Sequence, residues 1–433
     1  MHCGDIVSPI LYNEFIDTNL MVTLRPHQNR AIEAMHENTK GQVIVPTGGG
    51  KTMIMIHHAL QKFAKNEKFA HTAIIVAPRI LLAQQLCNEW KHFHDDVDVM
   101  HVHSGGSSYF NTTDIDKLNK YYHKSTKNML IFTTYHSLHK LVASEVEVDV
   151  IYYDEAHNSV AKNFFPSVQH YSNQYGVNSY YFTATPKFVG TVNPNKGKYG
   201  MNIPSVYGKT ICNVPAPELV EGGSIVKPTI VPFELDIDRT RHNRHIHDAM
   251  ATVKCLQEIT DPNAKVVCSV GSSKVLSAML SSTSLLEDLK ELGYDVMHVT
   301  SKFGAFVNDK KVNRHTFIET LNKWGKEDRR FIVFHYSILS EGISVSGLTH
   351  SIMLRQLSII EMAQTIGRVI RMNPEDRKDI ATGKLKSGQL QFYRKSTGYV
   401  CTPVKSLNTL RRLERVVDDI FVKGIPPLPL SYK

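Results

Sequence analysis

The sequence from Gln42 to Thr52 reads Gln-Val-Ile-Val-Pro-Thr-Gly-Gly-Gly-Lys-Thr, and it decides how the rest of the chain is interpreted. Its apolar start, Val43–Val45, predicts a buried strand, and the residues from Met53 onward open a helical pattern. A strand, a glycine-rich loop and a helix in this order are the setting of a phosphate-binding loop. The backbone N–H groups of such a loop converge on a polyphosphate at the positive end of the helix. The stretch therefore predicts a nucleoside triphosphate site.

The side chains of the loop supply the matching chemistry. Lys51 is expected to reach the β- and γ-phosphates, and the Thr52 hydroxyl is expected to bind Mg²⁺. Val45 stands where the strict eight-residue pattern has glycine or alanine, which is one departure from it. The residues predicted to bind ATP along the loop are Pro46, Thr47, Gly48, Gly49, Gly50, Lys51 and Thr52.

Composition limits the class of protein. The chain has 433 residues, of which 42% are hydrophobic and 21% charged, as in soluble globular proteins of two or three domains. A formal net charge of +9 favours a polyanionic partner such as nucleic acid. The six cysteines are scattered, which favours a reducing compartment, and no apolar run approaches the roughly 20 residues that span a bilayer. We expect a soluble intracellular protein, in the cytoplasm, the nucleus or a viral replication site, without a membrane partner.

Two adjacent carboxylates follow the apolar strand predicted at Val148–Tyr153. Asp154 is expected to hold Mg²⁺, and Glu155 to orient and deprotonate the attacking water. Neighbouring residues of a strand point to opposite faces, so this pair works only if the strand ends and turns at this point. Another predicted strand ends in the hydroxyl-bearing residues Thr183 and Thr185. Hydroxyl groups at this position are suited to sensing the state of the γ-phosphate.

Further candidates lie before and between these stretches. Gln28 can pair its amide with the edge of adenine, and Arg25 in the same stretch is predicted to contact the nucleotide. Arg79 and the pair Thr133–Thr134 follow two predicted strands, at the sheet edge where α/β proteins bind ligands. These side chains are candidates to donate to a nucleic-acid backbone, and each is equally consistent with ordinary strand-end capping.

The second half repeats an α/β pattern without a second phosphate loop. A proline- and glycine-rich passage at 211–230 is predicted to connect two lobes, and a new pattern begins at Val231. Near its end, Gln364, Arg368 and Arg371 have the spacing of one helix face. Two guanidinium groups pointing across a cleft between lobes would stabilise the charge that develops on a γ-phosphoryl group.

Several of these stretches together resemble superfamily 2 DExH/DEAH-box helicases. Gly48–Thr52, Asp154–His157 and Thr183–Thr185 resemble motifs I, II and III of that family. Gln364–Arg371 resembles motif VI, and Ser340–Ser344 resembles motif V, although many relatives carry aspartate where Ser344 stands. The chain is most similar in appearance to phage UvsW-type helicases and to the type I/III restriction-subunit (ResIII-like) helicases.

The resemblance implies an α/β fold of two RecA-like parallel-sheet lobes in tandem, with the ATP site in the cleft between them. The expected domains are an ATP-binding lobe at 1–210, a connection at 211–230, and a second lobe with a basic C-terminal extension at 231–433. Gly342 joins the expected nucleotide contacts, and His157 is expected to couple the ATP site to motif III. The expected catalytic residues are Lys51, Asp154, Glu155, Gln364, Arg368 and Arg371.

The activity implied is that of a monomeric ATP-dependent helicase or translocase, with ATP and Mg²⁺ as cofactors and Thr52 and Asp154 at the metal. DNA is the favoured substrate, through unwinding or branch remodelling. Alternatives are an RNA helicase, a duplex translocase, or the motor subunit of a restriction or defence complex. Nuclease, replication or recombination proteins are the partners expected in such settings.

Overall fold

The structure is a computed structural model that describes residues 23–64, 70–300, 302–336, 345, 347–404 and 407–427. The described chain forms two sheets in sequence, each flanked by helices. The predicted α/β fold of two tandem RecA-like lobes is confirmed.

The first sheet is parallel throughout, with the strand order β4-β3-β5-β2-β6-β7-β1-β8. Its strands are β1 (Lys40–Ile44), β2 (Thr72–Ala77), β3 (Asp98–Val102), β4 (Phe110–Asn111), β5 (Met129–Thr134), β6 (Val150–Tyr153), β7 (Asn178–Thr183) and β8 (Thr210–Asn213). The helices of this part are α1 (Pro26–Glu37), α2 (Lys51–Ala64), α3 (Ile80–Lys91), α4 (Ile115–Tyr122), α5 (Leu138–Val142), α6 (Phe165–Asn173), α7 (Pro204–Tyr207) and α8 (Ala216–Glu221).

Both faces of this sheet are covered, which explains why its central strands are continuous apolar runs. Every residue of β2 and β5 is buried. Ile75 and Ala77 belong to the core beneath α1, α2 and α3, whereas Ile74 and Val76 belong to the core on the opposite face. Parallel strands buried on two faces carry this composition rather than an alternation of polar and apolar residues.

The second sheet has the strand order β13-β12-β11-β14-β10-β15-β16-β9 and is parallel except at β11-β12-β13. Its strands are β9 (Lys227–Phe233), β10 (Lys265–Ser269), β11 (Asp295–Thr300), β12 (Gly304–Val307), β13 (Lys310–Val312), β14 (Phe331–His335), β15 (His350–Met353) and β16 (Thr397–Pro403). The helices are α9 (Arg244–Gln257), α10 (Ser273–Ser281), α11 (Leu285–Glu291), α12 (Arg314–Lys326), α13 (Ile359–Val369), α14 (Pro374–Ala381) and α15 (Leu407–Phe421).

The chain passes from one sheet to the other between β8 and β9. Because β8 pairs with β1 and β9 pairs with β16, the two ends of the predicted connection at 211–230 are strand residues. Residues 214–226 make the passage itself and include α8. This segment packs on the first lobe at one end and on α13 at the other, where the Val226 N–H donates to the Ile370 carbonyl at 2.8 Å.

Candidate active site

The loop between β1 and α2 needs glycine for two separate reasons. Gly48 and Gly50 have φ angles of +90° and +79°, which side-chain-bearing residues rarely adopt. A Cβ at Gly48 would also stand 2.7 Å from the Ile225 side chain. The Gly49 N–H donates to the Pro46 carbonyl at 3.0 Å, which closes the turn. The loop therefore delivers Lys51 and Thr52 at the N-terminal end of α2, as the sequence predicts.

The two carboxylates stand where β6 ends in a sharp turn. Glu155 has φ +46° and ψ +52°, a left-handed conformation that is costly for a residue with a side chain. This turn breaks the alternation of the strand, and the Lys51 ammonium lies 3.7 Å from Oε1 of Glu155. The condition stated from the sequence, that the strand must turn at this pair, is met.

Asp154 is buried in a way that fits a metal ligand. The residue is only 7% exposed, and Oδ1 has no hydrogen-bond partner within the described part of the chain. A buried carboxylate oxygen without a partner is costly unless a cation satisfies it. Thr52 and Asp154 supply hydroxyl and carboxylate oxygens, the donors that Mg²⁺ prefers. The residues present therefore fit the divalent cation that the sequence predicts.

The charges around the pair separate the two carboxyl groups. Burial, and then the charge of Glu155, raise the pKa of Asp154 well above its usual range, although Lys51 acts against this. Burial also acts to raise the pKa of Glu155, but the charges of Lys51, His157, Arg368 and Arg371 outweigh it and lower that pKa. Glu155 is thus the carboxylate that the surrounding cations keep ionised.

His157 connects the carboxylate turn to both lobes. Its Nδ1 lies 3.1 Å from the Thr183 hydroxyl at the end of β7, and its Nε2 lies 3.3 Å from the Gln364 amide nitrogen on α13. The resemblance implies a coupling of His157 to motif III, and the contact with Thr183 agrees with it. The contact with Gln364 connects His157 to the second lobe as well.

Helix α13 lies directly against the phosphate loop. A Cβ at Gly367 would stand 2.7 Å from Cβ of Thr47, so the helix backbone and the loop are in close contact. The helix starts with a reciprocal cap in which the Ser358 hydroxyl accepts from the Glu361 N–H and the Glu361 carboxylate accepts from the Ser358 N–H. Arg368 follows on the same helix and is 7% exposed.

One expectation about α13 is corrected. The spacing of Gln364, Arg368 and Arg371 predicts one helix face, but the helix ends at Val369. Arg371 lies beyond it, where its backbone forms an antiparallel bridge with Ile225. Pairing with the connecting segment replaces the last helical turn, so tertiary contact overrides the helical spacing. Arg371 still faces the site, because its charge acts on Glu155.

The first turn of α1 packs on the phosphate loop. The His27 ring contacts the Gly49 carbonyl at 2.8 Å, and the Gln28 amide donates to the Gly50 carbonyl at 3.4 Å. The Gln28 side-chain oxygen accepts from the backbone N–H of Arg25, whose guanidinium donates to the Ser224 hydroxyl at 2.6 Å. Gln28 and Arg25 are therefore placed beside the loop, and adenine recognition by Gln28 stays a prediction.

Some candidates fall elsewhere. Gly342 and the stretch at 340–344 lie outside the described residues. Thr133 and Thr134 are buried, and their hydroxyls hydrogen-bond to Val102 and Ser137. For these threonines the structure therefore shows strand-end capping, which was one of the two interpretations open from the sequence. Arg79 is exposed at the start of α3.

Two residues of the site were missed from the sequence. Glu89 on α3 stands close enough to the site for its charge to act on Asp154 and on Arg371. Burial lowers the pKa of both Arg25 and Arg371, and the charge of Arg377 on α14 lowers both further. Neither residue lies in a recognisable motif. Only the fold brings α3 and α14 to the loop, so no local signal marks them.

Solved structures share this architecture. The DNA-bound ATP-dependent Type ISP restriction-modification enzyme LlaBIII has a TM-score of 0.67 and 17% identity, covering 92% of this chain and 30% of that one. Mss116p bound to ssRNA and AMP-PNP has a TM-score of 0.58 and 16% identity, covering 92% and 73%. A fragment of a putative HsdR subunit of a type I restriction enzyme from Vibrio vulnificus YJ016 has a TM-score of 0.57 and 16% identity, covering 93% and 66%.

These findings first define a class. The chain shares its fold with these solved structures, and together with a family match over part of the sequence this confirms the predicted resemblance to ResIII-like superfamily 2 helicases. Within that class, residues 21–188 match the ResIII family, described as the res subunit of type III restriction enzymes. No curated protein matches the sequence. The chain spans less than a third of the length of LlaBIII, and helicases of this fold include both restriction subunits and RNA-binding proteins.

None of the helices in the described ranges combines the length and the apolar character that crossing a bilayer requires.

Proposed function

We propose that this chain is an ATP-dependent nucleic-acid motor that hydrolyses ATP in the cleft between its lobes. The observation that carries this proposal is one convergence. Lys51, Asp154 and Glu155 from the first lobe meet Gln364, Arg368 and Arg371 from the second lobe around the phosphate loop. A phosphate grip alone would indicate binding, whereas the added carboxylate and guanidinium groups equip the site for hydrolysis.

Each side chain has a role that its position supports. Lys51 and the loop N–H groups hold the β- and γ-phosphates. Glu155, kept ionised by the cations around it, orients the attacking water and accepts its proton. Arg368 and Arg371 stabilise the negative charge that develops on the transferred phosphoryl group. A Mg²⁺ ion bound by Thr52 and Asp154 would neutralise phosphate charge.

Division of the site between lobes ties hydrolysis to motion. The arginines reach the phosphates only when α13 is packed against the phosphate loop, as it is here through Gly367 and Thr47. His157 contacts both Thr183 and Gln364, so a change at the γ-phosphate can be passed to the second lobe. Closure that completes a catalytic site is a common way to couple chemistry to movement.

Nucleic acid would cross the carboxyl edges of the two sheets. In the first lobe Arg79 is exposed after β2. In the second lobe a cavity after β10 is lined by Arg241, Arg244, His245, Ser272 and Lys274. These cations suit phosphate oxygens, which give affinity without sequence preference. The formal net charge of +9 agrees with such a partner.

DNA is the substrate we favour, since the matched family is that of a restriction subunit and LlaBIII is bound to DNA. RNA is the alternative, because Mss116p is bound to RNA. Stimulation of ATP hydrolysis by single-stranded DNA, duplex DNA and RNA, followed by strand displacement on forked substrates, distinguishes unwinding of DNA, duplex translocation and RNA unwinding. Absence of stimulation by all three nucleic acids would refute the proposal.

A second candidate is the motor module of a restriction or defence assembly. This candidate is favoured because the chain corresponds to only a part of larger restriction proteins. It covers 30% of the length of LlaBIII and 66% of the length of the HsdR fragment. In this case the monomer would hydrolyse ATP on duplex DNA without separating strands, and a nuclease or methyltransferase subunit would co-purify with it. A monomer that unwinds forked DNA alone excludes this candidate.

A further inference from the structure

A lysine of the second lobe is buried beside Arg371 and has no role in the motifs. Lys395 precedes β16 and its residue is 8% exposed. Its ammonium donates to the Arg371 carbonyl at 2.7 Å and to the Leu348 carbonyl at 2.6 Å. Burial, and then the charges of Arg371 and Lys265, lower the pKa of Lys395 to about 7, against the effect of Asp376. A cation is costly in such a place, so its contacts need an explanation.

The segment around Lys395 is itself firmly held. The carboxylate of Asp376 on α14 is fully buried and accepts from the backbone N–H groups of Arg394 and Lys395, at 3.1 and 3.2 Å. It also accepts from the Arg394 guanidinium at 2.9 Å. A buried carboxylate with three charge-assisted or backbone donors is a fixed point. Lys395 therefore reaches the Arg371 carbonyl from a rigid support.

The chain that carries Lys395 makes a second contact with the end of α13. Gly398 in β16 lies against the Val369 carbonyl so closely that no Cβ would fit between them. Lys395 and Gly398 thus form a cradle under the last residues of the helix and the peptide that follows. The two contacts are independent of each other, since one is a side-chain hydrogen bond and the other is backbone packing.

The peptide of Arg371 also meets the connecting segment. Ile225 forms a β-bridge with Arg371, and the Val226 N–H donates to the Ile370 carbonyl at 2.8 Å. Ile225 also packs on Gly48 of the phosphate loop. The backbone of Arg371 is therefore clamped between a residue that touches the phosphate loop and the ammonium of Lys395.

Such clamping has a specific consequence, because Arg371 lies beyond the helix end. Helical hydrogen bonds cannot set its backbone, since α13 ends at Val369. A guanidinium that must meet a transferring phosphoryl group needs its backbone fixed to within about an ångström, and misplacement of that size can cost on the order of 10²-fold in rate. The clamp supplies what the helix does not.

We propose that Lys395 is a positioning residue for Arg371, holding its peptide so that the guanidinium meets the γ-phosphoryl group when ATP is bound. The inference rests on the proposed function, in which Arg371 acts on that group. Leu348, the second partner, follows the motif V-like stretch Ser340–Ser344 by four residues in sequence. Lys395 therefore hydrogen-bonds both to Leu348, which follows that stretch, and to Arg371, the last residue of the motif VI-like stretch.

The test compares Lys395→Met with Lys265→Met in the full chain. Lys265 is a matched control, because it is also buried in the second lobe and donates to a backbone carbonyl, that of Gly325 at 2.9 Å. Nucleic-acid-stimulated ATP turnover and the affinity for a fluorescent ATP analogue are measured for both. Lys395→Met should lower kcat by roughly tenfold or more with nucleotide affinity within threefold. Lys265→Met should leave kcat within threefold.

Epistasis with Arg371 separates positioning from general damage. In an Arg371→Ala background, Lys395→Met should cause no further loss of kcat, because the group that it positions is gone. Equal losses in both backgrounds, or equal kcat losses for the Lys395 and Lys265 variants, would overturn the inference. If Lys395→Met does not fold, Asp376→Asn decides, with a kcat loss of about threefold or more that also disappears in the Arg371→Ala background.

Failure of the inference differs from failure of the proposed function. If Arg371→Ala itself keeps full ATP turnover, the proposed active site is wrong. If Arg371→Ala loses turnover while Lys395→Met and Asp376→Asn keep it, the site stands and the role of Lys395 is wrong.

Discussion

The two lobes are built on the same plan but hold their functional residues in different ways. In the first lobe these residues are in short stretches at strand ends, such as the loop at 46–50 and the turn at Asp154–Glu155. In the second lobe they come from a helix and from the chain beyond it, which other parts of the molecule hold in place. The first half of the site is thus fixed locally, and the second half is fixed by tertiary contacts.

This difference should appear most strongly when the first lobe is changed. Lys51→Ala removes the only loop side chain expected to reach the phosphates, so nucleotide affinity and turnover should both fall, turnover on the order of 10²–10³-fold. Asp154→Asn should abolish turnover through the loss of the metal ligand. Isothermal titration with an ATP analogue and a stimulated ATPase assay measure the two effects. Lys120→Ala, exposed on α4, is the control. Turnover retained in Lys51→Ala would mean that the site is elsewhere.

A change at the contact between the lobes should separate binding from hydrolysis. In Gly367→Ala the new Cβ would stand 2.7 Å from Cβ of Thr47, so α13 must move away from the loop. We expect turnover to fall roughly 10–100-fold while nucleotide affinity changes little, since displacement of catalytic groups costs rate. Gly106→Ala, where a Cβ meets open space, should behave like the native chain. Loss of affinity equal to the loss of turnover would contradict the division between the lobes.

The smallest effect concerns stability and pH in the second lobe. The pKa of Lys395 is lowered to about 7 in the folded chain from an ordinary value near 10.5, so above pH 7 the unfolded chain binds more protons. The folded chain therefore gains stability as pH rises through this window. Relative to Lys395→Met, the free energy of unfolding of the native chain should increase by about 1–2 kcal/mol between pH 7 and 8.5. Urea unfolding at both pH values measures it, and a constant difference would show that Lys395 keeps its proton.

The sequence predicted the first lobe well for physical reasons. Buried parallel strands are continuous apolar runs, so the strand at Thr72–Ala77 and its neighbours stand out. The phosphate loop and the carboxylate pair are compact stretches whose chemistry depends on residues close in sequence. Their positions at strand ends could be predicted before any distance was known.

The second lobe shows where such inference ends. Arg371 was placed on a helix face, but pairing with Ile225, 146 positions earlier in the sequence, ends the helix before it. Glu89, Arg377 and Lys395 lie outside any recognisable sequence motif. They approach the site only because the fold brings distant segments of the chain together. At the two ends of 211–230, the four-residue β8 is too short to show a period, and Pro228 and Pro232 disguise the seven-residue β9 as a loop.

In the proposed motor, hydrolysis needs residues of both lobes, and Arg371→Ala removes one residue of the second lobe. Single-turnover ATP hydrolysis is measured with saturating ATP and saturating stimulating nucleic acid, beside the affinity for an ATP analogue. We predict an affinity within threefold of the native chain and a rate lower by on the order of 10³-fold, as for other guanidinium groups that act on a transferring phosphoryl. An unchanged rate would show that the first lobe hydrolyses ATP alone and would contradict the account.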